Sequence, residues 1–308
     1  MTALSEHLDD YLALRRSLGH KLADAHRLLP RFVTYLDDHR IEFVTIETAL
    51  EWSMQPVVAD RSTVPARRMM VVRGFARYLS GIDARTEIPP PGAIRCPNRW
   101  RRPFIYTDTD VLALLEQADR VIRQPLRAAT HQTLIGLLAT TGMRVGEALR
   151  LDWTDLDRAD GVLLIRQSKF GKSRLVPLAP STLEALDRYD HLREQHFPQP
   201  STNSLFLSLA GTRVIYPTVW QVHRTLCQAA GVGAGSAIRP RIHDHRHSFA
   251  VNTLLDWYRQ GLDVRSRISL LSTYLGHREP RYTYHYLSAA PELLAHAAGL
   301  LDQSQVWS

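Results

Sequence analysis

His243-Asp244-His245-Arg246-His247 is followed by Leu275-Gly276-His277 and then by Tyr286, and Thr141-Gly142-Met143-Arg144-Val145-Gly146-Glu147 lies upstream of all three. An arginine fork grips a phosphate through two oxygens at once. Histidines hydrogen-bond the remaining oxygens or move protons. A tyrosine hydroxyl can attack a phosphoryl group and hold it covalently. Two arginines, two or three histidines and a tyrosine in this order form the inventory of a phosphate-activating nucleophilic site. Such a set suggests an enzyme that cuts a phosphodiester without a metal.

Each motif has competing readings. His243, Arg246 and His247 stand at i, i+3 and i+4, one face of one helix. With His277 they resemble the spacing of zinc ligands. The residue after His243 is Asp rather than the usual Glu, and Arg246 on the same face would repel a divalent cation, so no metal is expected. Histidines satisfied in a core are a third reading. Arg144 follows a Thr-Gly break at a helix start, where unpaired N–H groups favour an anion. Glu147, three residues on, either makes an ordinary surface pair with it or fixes its guanidinium from behind. Lys169 and Lys172 fall in a polar turn, where a lysine is either solvated or able to reach a leaving oxygen. Among Tyr282, Tyr284 and Tyr286, chemistry alone selects none.

Composition sets the frame. A chain of 308 residues is long enough for two domains with separate cores. Hydrophobic residues at 44% and charged ones at 22% describe an ordinary globular protein. The net charge is +7, and its distribution says more than its size. Residues 61–102 hold ten arginines (61, 67, 68, 73, 77, 85, 95, 99, 101 and 102) against Asp83 and Glu87, whereas residues 1–60 hold six basic residues against ten acids. A basic block beside an acidic one is the footprint expected of phosphate-backbone binding, the alternative being a solvated charged face. Arg67, Arg68, Arg73, Arg77, Arg95, Arg99, Arg101, Arg102 and Lys172 are the candidate phosphate-backbone contacts. Cys96 and Cys227 stand far apart in no metal-ligand spacing, which fits a reducing compartment. The first ten residues lack the pattern of a signal peptide, and no apolar run approaches the ~20 residues that span a bilayer. A cytoplasmic protein with no membrane partner is expected.

Along the chain, apolar residues at three-and-four spacing predict four amphipathic helices within residues 4–80. Leu8, Tyr11, Leu12 and Leu14–Leu18 begin the first stripe, and Pro65 suits the first turn of the fourth helix. Residues 1–86 are thus expected to form a helical domain. Residues 87–104, with Pro89, Pro90, Pro91, Pro97 and Pro103 among arginines, read as an extended basic linker. Residues 105–308 form a second domain. Helices are expected over 108–118 and 126–140, and another carrying Arg144, Glu147, Leu149 and Leu151. A hairpin follows from Val162–Ile165 to Arg174–Leu178 around the Lys169 turn. The remainder is mostly helical and ends on an apolar helix over 291–301. The fold class is mainly α with a small β-hairpin or sheet.

Taken together, these motifs resemble the tyrosine recombinase/integrase family, which includes the lambda integrase, Xer and Cre-like proteins. The resemblance covers about residues 105–290, and the helical domain with its basic linker resembles the family's core-binding domain in layout. It implies that Arg144 and Arg246 hold the non-bridging oxygens of a scissile phosphate. His243 and His277 would complete the cradle, supported by Glu147 and His247. Lys169 would protonate the 5′-hydroxyl leaving group. Tyr286 would attack to form a 3′-phosphotyrosyl bond, with Tyr284 as the fallback. Neither ATP nor metal would be needed. The implied partner is double-stranded DNA with paired inverted-repeat sites, bound as a dimer on each site and a tetramer in synapsis. Sister recombinases are candidate partners, and the setting is a mobile genetic element. Relaxation of DNA by a type IB topoisomerase-like mechanism and a non-catalytic DNA-binding accessory role are the alternatives. One departure stands out: His245 occupies a position where the family usually has an apolar residue, and it would either compete for the site or fill a polar pocket.

Overall fold

The computed structural model describes residues 2–20, 22–56, 63–96, 102–166, 173–276 and 283. The chain divides into two compact units, Met1–Trp100 and Arg101–Ser308. The first contains α1 (Ala3–Ser17), α2 (Ala23–Asp38), α3 (Ile46–Met54) and α4 (Val64–Leu79). Thr2 caps α1 by accepting the Ser5 N–H, and Pro65 sits in the first turn of α4, where a missing N–H costs nothing. Leu4, Leu8, Tyr11 and Leu12 turn inward to meet Leu29, Phe32, Leu36, Val72 and Phe75. The apolar stripe of α1 is narrower than expected, because Leu14 and Leu18 are exposed. Leu14 lies off the seam set by Leu8 and Leu12, and Leu18 is already the cap residue.

The proline-rich stretch is not free of this unit at its start. The Glu87 N–H donates to the Val44 carbonyl (2.8 Å), its carboxylate accepts from Ile46 N (2.7 Å), and Ala93 and Ile94 pack against the helical core.

In the second unit α5 (Asp108–Val121), α6 (Pro125–Thr141) and α7 (Val145–Ala148) lead into β1 (Leu156–Asp157), β2 (Val162–Ile165) and β3 (Arg174–Pro177). Then follow α8 (Pro180–His196), α9 (Tyr216–Ala229), α10 (Asp244–Arg259) and α11 (Val264–Leu275). The strands form one antiparallel sheet in the order β1-β2-β3, with Leu163 opposite Val176. Helix α6 buries residues on all sides, including Leu126, His131, Leu134, Ile135 and Leu138, as a central helix must. One core joins α6 to the sheet and α8, a second joins it to α5 and α9, and a third lies between α10 and α11.

The expected hairpin is joined by a third strand, β1, whose two residues are too few for alternation to be read, and one expectation changes. Helix α7 has four residues and excludes Leu149 and Leu151, both buried in the core. Arg213 explains its early end: its guanidinium takes the carbonyls of Leu149 (2.9 Å) and Leu151 (3.1 Å), and Leu205 N also donates to Leu151.

His245 fills a polar pocket. Its ring stacks on Tyr106 at 4.1 Å between centroids, and its Nε2 lies 3.2 Å from Nε2 of His223. The Tyr106 hydroxyl reaches His223 (3.3 Å) and the Arg241 carbonyl (3.2 Å), and its N–H donates to Ser248 Oγ (2.8 Å). The segment entering the second unit is thereby stapled to the start of α10. Burial keeps these histidines neutral. It lowers the pKa of His131 and of His223 to about 4, helped by the charge of Arg127 and by His131 respectively, and pushes His245 well below its ordinary value.

Two tests follow from this packing. Gly142 has φ +60°, and a Cβ there would lie 2.4 Å from Phe249 Cδ1, whereas Gly136, inside α6, has open space around it. Gly142→Ala should cost ~2–4 kcal/mol in chemical denaturation, from left-handed strain plus overpacking, and Gly136→Ala should stabilise by up to ~1 kcal/mol. Equal effects would refute this placement of the turn. The second test is pH. Histidines whose folded pKa is depressed leave the unfolded state binding more protons between the two values. Stability is therefore complete above ~6.5 and falls as pH drops toward the folded value of about 4. A shift from 6.5 to about 4 corresponds to roughly 3 kcal/mol for each group as an upper bound. His223→Gln/His245→Gln should flatten that acid limb; an unchanged slope would exclude these residues as its source.

Candidate active site

Three chain segments meet at the ends of α6 and α11. Helix α6 ends on Gly142 and α11 on Gly276, both in the left-handed conformation, with φ of +60° and +67°. The last carbonyls of a helix lack intrahelical partners and carry its negative dipole end, so they attract cations. Arg246, in the first turn of α10, donates from NH1 to the Gly142 carbonyl (2.9 Å) and from NH2 to the Leu275 carbonyl (2.7 Å). Arg144 donates from NH2 to the neighbouring Gly276 carbonyl (3.3 Å). The two arginines named from the sequence, 102 positions apart, thus converge on consecutive carbonyls.

Glu147 holds Arg144 from behind. Its Oε1 accepts from Arg144 NH1 at 2.7 Å, its Oε2 accepts the Arg144 backbone N–H at 3.1 Å, and its side chain is 1% exposed. A third arginine, Arg174 at the start of β3, shares the same carboxylate: NH2 donates to Oε2 at 2.7 Å and NH1 to Oε1 at 3.3 Å. Burial alone would raise the Glu147 pKa, but Arg174 and then Arg144 hold it down at about 2, so the carboxylate is ionised at any working pH. Sequence reading missed Arg174. It stands in a strand with apolar neighbours, and nothing in local spacing ties it to Glu147; only the fold does.

His243 occupies the cap position of α10, and its ring meets that of His247 edge to face at 5.3 Å. The residue is exposed, although its ring packs against that of His247. Partial desolvation, then the charge of Arg246, lowers its pKa, with Arg144 and Arg241 adding to the effect and Asp244 opposing it. At neutral pH it is a neutral imidazole beside two guanidiniums, able to accept or donate one hydrogen bond. Asp244, fully buried, is clamped by Arg241 at 2.7 Å. Tyr274, stacked on Phe249 at 5.5 Å, is a nearby tyrosine whose hydroxyl stays protonated: burial raises its pKa against the charges of Arg174 and Arg246. Among the described residues no group of three His, Cys, Asp or Glu is placed to hold a metal. Lys169, Lys172, His277, Tyr282, Tyr284, Tyr286 and the helix expected over 291–301 lie outside the described residues.

The candidate DNA-contacting arginines divide by helix face. Arg68 lies on the buried side of α4, over the Trp52 ring (5.5 Å), and donates to the carbonyls of Ser53 and Gln55 at the end of α3. Arg77 is exposed, Arg73 half-buried, and Arg67 reaches Asp24 at 3.9 Å. Arg95 and Arg102 are exposed, and Arg99 and Arg101 lie outside the described residues. No described helix is long and apolar enough to cross a membrane.

Comparison with known proteins identifies the family. Residues 106–292 match the model of the phage integrase family. The chain is 39% identical over 312 residues to an integrase/recombinase of Sinorhizobium fredii, covering 98% of each chain. It is 31% identical to the tyrosine recombinase XerD of Mycobacterium leprae, covering 92% of each. Among solved structures, a Tn1549 transposon integrase bound to transposon right-end DNA shares the fold at a TM-score of 0.65 and 17% identity, covering 98% of this chain and 99% of that one. A lambda integrase tetramer bound to a Holliday junction does so at 0.60 and 18%, covering 92% and 76%. The chain therefore belongs to the phage integrase family of tyrosine recombinases and is a site-specific DNA recombinase.

Proposed function

We propose that this recombinase cuts and rejoins DNA through a 3′-phosphotyrosyl intermediate, with Arg144 and Arg246 as the phosphate clamp. The observation that carries the reading is the convergence of those two guanidiniums on the consecutive carbonyls of Leu275 and Gly276. In the cleavage step the Tyr286 oxygen attacks the scissile phosphorus and the bond to the 5′-oxygen breaks. The tyrosine proton passes to the histidine side of the cradle, His243 and His277. Lys169 gives a proton to the departing 5′-oxygen. Negative charge building on the non-bridging oxygens would be offset by the two arginines, the phosphate taking the place of the carbonyl that Arg144 NH2 now meets. Glu147 and His247 orient this set. The phosphotyrosyl link keeps the energy of the broken ester, so the 5′-hydroxyl of a partner strand reverses the step without ATP or metal.

Lambda integrase forms a tetramer on a Holliday junction, which supports a dimer on each inverted-repeat site and a tetramer in synapsis here. Sister recombinases are candidate partners, and likeness to a transposon integrase supports a mobile genetic element as the setting. Residues 1–86 would act as the core-binding domain. Of its arginines, Arg73 and Arg77, one turn apart on α4 away from its apolar side, are the strongest candidates for backbone phosphate. Arg67, Arg95, Arg99, Arg101, Arg102 and Lys172 complete the set, while Arg68 serves the α3 terminus first.

Two experiments test the chemistry. Tyr286→Phe should abolish covalent adduct on a nicked suicide substrate while DNA affinity stays within about twofold, since one hydroxyl is lost and almost no contact area. Adduct retained in Tyr286→Phe and lost in Tyr284→Phe would move the nucleophile. Lys169→Ala should cleave normal DNA roughly 100-fold more slowly, the usual scale of general-acid catalysis. It should recover on DNA whose bridging 5′-oxygen is sulfur, because a thiolate leaves without a proton. Equal defects on both substrates would make Lys169 a binding residue.

A further inference from the structure

Arg174 has no role in the phosphate clamp described above, yet it shares a buried carboxylate with one arm of it. Glu147 offers two oxygens. Arg144 NH1 takes Oε1 at 2.7 Å, while Arg174 takes Oε2 at 2.7 Å and reaches Oε1 at 3.3 Å. The two-pronged partner of Glu147 is therefore Arg174, and Arg144 is held by one prong of its side chain. Among the described residues the second terminal nitrogen of Arg144 makes one bond, of 3.3 Å, to the neutral Gly276 carbonyl, and its side chain remains 24% exposed against 13% for Arg174. A charged phosphate oxygen is a stronger acceptor than a carbonyl and would displace that bond. Arg174 is also fixed from its other side: a Cβ on Gly276 would lie 3.1 Å from its NH1, so glycine is what lets the guanidinium pack against this turn.

We propose that Arg174 is a positioning residue of the recombination reaction. By occupying the second oxygen of Glu147, it prevents that carboxylate from closing a two-pronged pair with Arg144, and so keeps one prong of Arg144 available to the scissile phosphate. Among the described residues, Glu147 without Arg174 would keep Arg144 as its one guanidinium partner, and parallel N–H···O bonds are the geometry such a pair prefers. Arg144 would turn toward its own orienting group and away from substrate. The inference rests on the reading of Arg144 as a phosphate ligand, and the experiment separates the two.

Cleavage by the full-length protein at saturating DNA is measured on a suicide substrate and on the same DNA carrying a methylphosphonate at the scissile position, which lacks one charged non-bridging oxygen. Arg174→Met should slow cleavage of the phosphate at least about tenfold and of the methylphosphonate by less than about threefold, because an uncharged centre asks less of an arginine. Arg144→Ala should show the same selectivity with a larger loss. Arg174→Lys, which keeps a cation on Glu147 but only one bond, should fall between wild type and Arg174→Met with the same preference, and it carries the test should Arg174→Met fold poorly. Misfolding or lost affinity would slow both substrates alike. Equal slowing by the Arg174 variants beside a selective Arg144→Ala overturns the proposal and leaves Arg174 as scaffold. A non-selective Arg144→Ala overturns the reading of Arg144, and the proposal with it.

Discussion

One buried carboxylate organises the catalytic unit. Glu147 sits at 1% exposure between Arg144 and Arg174, and through them it joins the turn after α6 to the start of β3 and, by way of Gly276, to the end of α11. Desolvating three charges is expensive, and only good geometry with further hydrogen bonds offsets it. Here the Arg144 backbone N–H and the Gly276 carbonyl supply those bonds. The same physics makes the cluster brittle, since removing one member strands the others, typically at 3–5 kcal/mol for a buried pair. Such a network specifies geometry more than it adds stability.

The remaining guanidinium solves the same problem differently. Arg246 is 3% exposed, and its charge is met by the carbonyl ends of two helices at Gly142 and Leu275. Helix C-termini supply partial negative charge without a titratable group, so the clamp does not weaken as pH falls. The glycines follow from this. A helix that ends so that its final carbonyls face a side chain needs a left-handed residue just beyond, and at both places the space for a Cβ is taken, by Phe249 in one case and Arg174 in the other.

Much of this was legible in the sequence. The helices of the first unit, the β2–β3 hairpin and the separate pairs Arg144–Glu147 and His243–Arg246 follow from short-range spacing, because helix periodicity and turn chemistry are local, whereas joining the two pairs rested on the resemblance to a known family. What escaped is non-local or short. Strand β1 has too few residues to alternate, and α7 stops after Ala148 because Arg213, over sixty positions away, claims the carbonyls that would have continued it. Arg68 read as a surface charge but faces Trp52 and the end of α3. Arg174 could not be separated from any other arginine in a strand until folding placed Glu147 beside it. His245 was visible as an anomaly, and its explanation needed Tyr106 and His223, each more than twenty residues away.

That anomaly bears on how the site keeps its charge. His245 lies between His243 and Arg246 in sequence but points into the core, where burial keeps it neutral next to a neutral His223. His243 is held neutral by partial burial and by the neighbouring arginines. Among the described residues the centre therefore contains three guanidiniums against one carboxylate, leaving two net positive charges at neutral pH. A phosphodiester carries one negative charge and gains nearly another as an oxygen nucleophile closes on it, so under the proposed chemistry an excess of two on these described groups would favour the transition state over the ground state. Were His243 or His245 protonated, the added charge would tighten ground-state binding of the DNA backbone as much as the transition state, and stored repulsion against Arg246 would loosen the clamp. Keeping His243 and His245 neutral would thus be part of the chemistry proposed for the arginines.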